Sequence, residues 1–284
     1  MKQRVISGVF IVILALLILI PGGIVLGCSS FILSLIAYRE LLNAIGTSGK
    51  ANNDTKSGFK ISSIEFLGYL DIAIYYSLMM VFEDRTWLLL SLFFGLITFM
   101  ALYVFSYPKY TAKDIMMSFF SMCYGPMMLG FMYMTRQLEY GQYFVWLIFI
   151  SSWVSDTFAY FSGSLLGRHK LAPNLSPKKS IEGAIGGVIG AALVGGLFTW
   201  FFIDSLIPGK SITLVFIVIS AIGSVVAQIG DLAASAIKRN ENIKDYGTLI
   251  PGHGGIMDRF DSVIFTAPMI YMLTIIFITV SAVV

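Results

Sequence analysis

The stretch "LIPGHGGIMDRFDS", residues 249–262, sets a histidine, three glycines, an arginine and two aspartates at the mouth of an apolar run. Asp258 and Asp261 are three residues apart, so on a helix they share a face. The amino terminus of a helix carries partial positive charge and favours both as anions. In the preceding apolar run Asp231, Ser235 and Lys238 fall at i, i+4 and i+7, again on one face. Carboxylate oxygens without His or Cys neighbours suit a hard cation, above all magnesium, alone or with a second cation. The alternative is that Asp258 and Asp261 only cap a helix while Asp231 pairs with a lysine.

Cations stand close to these carboxylates in sequence. Lys178, Lys179, Lys238, Arg239, Lys244 and Arg259 gather at the ends of two apolar runs. In "PGHGG" the absence of side chains at Gly254 and Gly255 lets backbone N–H groups approach a ligand, as in loops that cradle phosphate. His253 suits phosphate contact or proton transfer, and equally a hydrogen bond within a turn. Carboxylates for a metal, cations and a glycine-rich turn together describe a phosphoryl-transfer site. Further upstream, Asp156 and Tyr160 are one helical turn apart inside an apolar run, where an aspartate is a functional candidate by default.

The elements that must position these groups are membrane spans. Hydrophobic residues make up 57% of the 284 and charged residues 12%, with a mean hydropathy of +0.84. A soluble domain carries roughly 25% charge, and runs of about 20 apolar residues are long enough to cross a bilayer. The chain therefore reads as an all-α polytopic integral membrane protein. Nine spans are expected, near residues 5–20, 24–44, 61–82, 86–106, 115–135, 142–166, 183–204, 212–237 and 260–281. Residues 1–140 form the amino-terminal spans one to five. Residues 141–284 form a catalytic region with two polar loops, 167–183 and 238–259. The first run follows Lys2 and Arg4 as a signal peptide would, but continues past Pro21 without a cleavage site, so a retained span is expected.

If the amino terminus and the connections after even-numbered spans share one side, that side holds 16 of the 19 Lys and Arg residues and the other holds 3. The positive-inside rule then makes the amino terminus and both polar loops cytoplasmic. The basic connection 46–60 reads as a flexible segment near anionic headgroups. No nucleic-acid partner is expected. Cys28 and Cys123 lie within apolar runs and read as buried thiols. Span seven carries Gly186 with Gly190, and Gly187 with Ala191 and Gly195, a spacing for close helix packing within the subunit or at the seam of a homodimer. His169 reads as structural or as a headgroup contact. Glu65 and Asp71 in span three have no evident partner.

The segment "SAIKRNENIKDYGTLIPGHGGIMDRFDS", residues 235–262, resembles the signature of phosphatidate cytidylyltransferases, also called CDP-diacylglycerol synthases. Ser235, Lys238, Arg239, Lys244, Asp245, Pro251, His253, Gly254, Gly255, Asp258, Arg259 and Asp261 stand at its spacing. A second stretch, "DTFAYFSGSLLGRHKLAPNLSPKKSIEG", resembles the family through Asp156, Lys178, Lys179, Ser180 and Glu182. The resemblance implies transfer of CMP from CTP to phosphatidic acid, with magnesium, at the cytoplasmic face of a cell membrane. It implies roles in catalysis for Lys238, Arg239, Lys244, His253 and Arg259, and in metal binding for Asp231, Asp258 and Asp261. Lys178, Lys179, Ser235, Gly254 and Gly255 would meet phosphate, with Asp156, Ser180 and Glu182 as further site residues. The rivals are a transporter of an anionic substrate, which would place its groups near the midplane on repeated halves, and a CDP-alcohol phosphotransferase, whose Asp-Gly-x-x-Ala-Arg pattern "DLAASAIKR" does not reproduce.

The basic asymmetry yields a topology test. A cysteine at Ser176 should react with an impermeant reagent only from the cytoplasmic side, and one at Ser205 only from outside. The reverse pattern would overturn the orientation.

Overall fold

A computed structural model describes residues 2–46, 61–82, 84, 86–203, 212–250, 252 and 254–283. Pro251, His253, Arg85, Ser205, Lys210 and the basic residues Lys50, Lys56 and Lys60 lie outside the described residues. Helices stand at all nine expected places: α1 (Lys2–Leu19), α2 (Gly23–Ala44), α3 (Ser63–Val81), α4 (Thr86–Phe105), α5 with α6 (Ala112–Met122, Met128–Arg136), α7 with α8 (Gly141–Phe149, Ser155–Leu166), α9 (Ile181–Phe202), α10 (Ile212–Asn240) and α11 (Met257–Val283). Among the described residues, eight of these spans are long and apolar enough to cross a membrane; the apolar part of α1, Phe10–Leu19, is shorter. The protein is a multi-pass, all-α membrane protein.

The chain divides into two compact units. One comprises Met1–Tyr133 with Glu241–Arg259, the other Met134–Asn240 with Phe260–Val284. The glycine-rich loop ahead of α11 thus groups with the amino-terminal helices rather than with the span it follows.

In the first unit the polar groups are tied by side chains where lipid offers no water. Pro126 sits in a wide helical turn, Cys123–Met127, that joins α5 to α6. Proline lacks an N–H and disturbs the helical ladder, and an unpaired carbonyl at membrane depth is costly. Here the Pro126 carbonyl accepts from Ser34 Oγ at 3.2 Å and from Tyr76 OH at 3.2 Å, and Tyr75 OH donates to the Met127 carbonyl at 3.3 Å. The two residues left unexplained by the sequence also find partners. Glu65 accepts from Tyr69 OH at 2.9 Å and faces Arg39 at 3.7 Å, and Asp71 accepts from Thr98 Oγ1 at 3.0 Å.

In the second unit α8 and α9 pack so closely that glycine is required between them. A Cβ added at Gly190 would lie 2.1 Å from Phe158 Cγ, and one at Gly186 would lie 2.0 Å from Ser162 Oγ. The small-residue stripe of span seven is therefore used within the subunit. A second wide turn, Ile150–Val154, joins α7 to α8, and its neighbourhood is stitched by serines: Ser151 Oγ donates to the Ser220 carbonyl at 3.3 Å, and the Ser155 and Ser224 hydroxyls meet at 2.6 Å. Between α8 and α9 the loop expected at 167–183 contains a short antiparallel hairpin, β1 (Lys170–Ala172) with β2 (Ser176–Ser180).

Close packing at Gly190 predicts that Gly190→Ala lowers the midpoint of thermal unfolding in detergent, by an overpacking cost of about 1–3 kcal/mol. Gly8→Ala, where an added Cβ meets nothing within 4 Å, should leave the midpoint unchanged or raise it. Equal midpoints for Gly190→Ala and the native chain would contradict the packing.

Candidate active site

A groove of about 420 Å³ opens in the second unit between the hairpin, α8, α9 and α10. The hairpin supplies its cations. Lys178 and Lys179 of β2 both line the groove, Lys178 exposed and Lys179 half-buried. Lys179 Nζ forms an ion pair with the Asp231 carboxylate of α10. Asp156 of α8 lines the same groove. Gly230 lets α11 come close to this point, since a Cβ there would lie 2.9 Å from the Asp261 carbonyl. Asp261 accepts from the Ser262 N–H at 2.7 Å and lies within electrostatic reach of Asp231, Lys238 and Asp156. Carboxylates from three helices and lysines from two elements thus gather in one unit.

The framing of the groove explains three further residues. Ser180 caps α9 by accepting from the Gly183 N–H at 3.1 Å. Glu182 accepts from the backbone N–H groups of Arg168 at 3.1 Å and His169 at 3.3 Å, and pairs with His169 Nδ1 at 2.6 Å. These contacts fix the turn that leads from α8 into the hairpin, and give His169 a structural partner. Gln228 Nε2 donates to the Ala184 carbonyl at 3.1 Å, joining α10 to α9 along the groove.

The first unit holds several of the other candidates. Asp258, in the first turn of α11 and 7% exposed, accepts from the Tyr246 N–H at 2.8 Å and the Gly255 N–H at 3.0 Å. Gly252 and Gly254 adopt φ of 77° and 83°, a left-handed backbone that glycine allows, and the Ile250 N–H closes the turn on the Gly254 carbonyl at 2.8 Å. Lys244 is exposed and Arg259 half-buried in this unit; Ser235, Lys238 and Arg239 belong to the end of α10 in the other. The sequence reading passed over Glu40, at the end of α2. Its carboxylate accepts from the Ile256 N–H at 3.0 Å and the Met257 N–H at 2.8 Å. The available signal was an acidic residue closing an otherwise apolar run.

Among the described residues no three His, Cys, Asp or Glu side chains converge into a ready-made metal cage. Magnesium does not demand one, since it is held by one or two carboxylates together with substrate phosphates and water. Asp231 and Asp261 fit that requirement, and among the described residues no thiol or imidazole lines the groove.

Comparison with known proteins bears on the whole chain. A model of the cytidylyltransferase family matches residues 2–277. The phosphatidate cytidylyltransferase of Staphylococcus saprophyticus is 33% identical over 97% of this chain and 99% of its own length. That of Staphylococcus epidermidis is 34% identical over the same shares, and that of Staphylococcus aureus is 33% identical. The match runs through the amino-terminal spans as well as the polar loops, and on that evidence the chain belongs to the cytidylyltransferase family.

Proposed function

We propose that the chain transfers the CMP group of CTP to phosphatidate, giving CDP-diacylglycerol and pyrophosphate, at the cytoplasmic rim of a cell membrane. The observation that carries this reading is the groove of the second unit, lined by Asp156 of α8, Asp231 of α10 and Lys178 and Lys179 of the hairpin, with Asp261 of α11 within electrostatic reach of both aspartates and of Lys238. A phosphate monoester has a second pKa of about 6, so phosphatidate is largely a dianion at neutral pH. One of its oxygens bonds to the α-phosphorus of CTP while the bond from that phosphorus to the bridging oxygen of the β-phosphate breaks. The electron pair leaves with pyrophosphate. Such a nucleophile needs no strong base.

What has to be overcome is repulsion between two anions. Lys179 uses one of its three N–H donors on Asp231 and keeps the others for ligand oxygens. Within the second unit Lys178, Lys238 and Arg239 add charge and Ser235 adds hydrogen-bonding capacity; the family signature also gives Lys244, Gly254 and Arg259 of the first unit parts in phosphate chemistry. Asp231 and Asp261 would hold magnesium, with Asp258 as the third carboxylate of the signature. Bound there, magnesium would neutralise and orient the polyphosphate and ease departure of pyrophosphate. A transporter would gather its groups at mid-membrane on repeated halves, and the family match leaves that alternative without support.

The test uses purified protein in liposomes containing phosphatidate, with CTP and magnesium. The native chain should form a CDP-linked lipid, and its absence would overturn the function. Asp258→Asn and Asp261→Asn should each cut turnover at least about tenfold, or about 1.4 kcal/mol of barrier, with little change in thermal midpoint. Both should raise the magnesium concentration needed for half-maximal rate. Asp231→Asn should lose turnover alike, and its thermal midpoint should fall, because Lys179 is left without its anionic partner. Near-native rates in both Asp258→Asn and Asp261→Asn would remove the metal assignment and leave these residues as helix caps, since asparagine caps about as well as aspartate.

A further inference from the structure

We infer that Glu40, in the second span, is a positioning residue that sets the conformation of the glycine-rich loop and thereby of the Lys244, Asp258 and Arg259 side chains that it carries. This rests on the proposed cytidylyl transfer for its effect on rate, but not for its effect on the loop.

The geometry is that of a two-pronged clamp. Glu40 Oε1 accepts from the Ile256 N–H at 3.0 Å and Oε2 from the Met257 N–H at 2.8 Å, across more than 200 residues of sequence. These two N–H groups belong to the start of α11, where the helix itself provides no acceptor. A carboxylate there also meets the positive end of the helix dipole. Glu40 is 7% exposed, so its charge is taken from water and must be satisfied by these donors. The loop closes over the carboxylate from two sides. A Cβ at Gly255 would lie 2.3 Å from Oε1 and 2.4 Å from Oε2, and one at Gly247 would lie 2.4 Å from Oε1.

Two consequences follow for the signature. Glycine at 255 is required by the carboxylate it covers, and its own N–H is already donated to Asp258. Four amides, those of Tyr246, Gly255, Ile256 and Met257, are taken by two carboxylates, one in the first turn of α11 and one from α2. The loop therefore has little freedom to choose its shape around a ligand. Glu40 acts through it rather than on substrate.

Four measurements on the full-length protein in liposomes test this. Glu40→Gln keeps the volume but turns one carboxylate oxygen into an NH2 group facing an N–H, so kcat should fall at least tenfold at temperatures where the variant is fully folded. Gly255→Ala should fall comparably by itself, yet cost less than twofold further in a Glu40→Ala background, because the obstructing carboxylate is gone. A purely stabilising contact would instead lower the thermal midpoint and leave kcat of the folded fraction unchanged. Hydrogen exchange supplies the readout that needs neither turnover nor a variant: the amides of Gly255, Ile256 and Met257 should be protected in the native chain. It also separates the two claims, because a native chain without cytidylyl transfer but with protected amides would overturn the function and leave the clamp standing. Unprotected amides in the native chain, a kcat of folded Glu40→Gln within twofold of native, or a Gly255→Ala defect undiminished by Glu40→Ala would each overturn the assignment. Should Glu40→Gln and Glu40→Ala fail to fold, native-chain exchange and Gly255→Ala alone decide: unprotected amides, or a Gly255→Ala kcat within twofold of native, would overturn it.

Discussion

A carboxylate drawn out of water beside a lipid bilayer must be given donors, because an unpaired buried charge is among the most expensive features a fold can carry. This protein meets that demand in two ways, and much of its polar architecture follows. Asp231 is met by a lysine reaching from the β-hairpin, so the hairpin is held over α10 and the groove acquires its cation. Glu40 and Asp258 are met by backbone N–H groups, so the loop ahead of α11 is wound around two fixed anions. In both places the group that satisfies a charge is also the group that shapes a candidate site. Removing one partner would leave the other stranded.

The same constraint acts at smaller scale along the spans. Wide helical turns at Cys123–Met127 and Ile150–Val154 depart from the regular ladder, and hydroxyls of Ser34, Tyr76 and Ser151 take up carbonyls near them. Small residues on α9 bring α8 near enough for the short connection between them to fold back as a hairpin. Without that proximity Lys178 and Lys179 would stand on a free loop, and the pairing of Lys179 with Asp231 would carry the entropy of ordering it.

The spans were legible in the sequence because lipid imposes a length and forbids charge. The runs read at 24–44 and 86–106 stand in the structure as Gly23–Ala44 and Thr86–Phe105. The face shared by Asp231, Ser235 and Lys238 was legible from helical spacing. The hairpin was not, because "KLAPNLSPKKS" is polar, interrupted by prolines and too short to show a strand period. Nor was the partner of Asp231, since spacing along α10 points to Lys238 whereas the ion pair comes from Lys179, 52 residues away. Glu40 was hidden for a related reason: a single acidic residue at the end of a span looks like a boundary marker, and only folding brings the loop to it. The motif residues of the loop were legible, but their attachment to the amino-terminal helices was not, because no local pattern records which helix a loop rests on.

The central claim is that the bond broken lies between the α- and β-phosphates of CTP and that the nucleotide ends on the lipid. Parallel reactions in phosphatidate liposomes with CTP labelled at the α- or at the γ-phosphorus address this directly. The predicted result is lipid-extractable label from the α position only, with γ label recovered entirely as pyrophosphate. Label from the γ position in the lipid fraction would mean transfer of a phosphoryl group instead, and label from neither would mean that CTP is not a substrate; either would contradict the account.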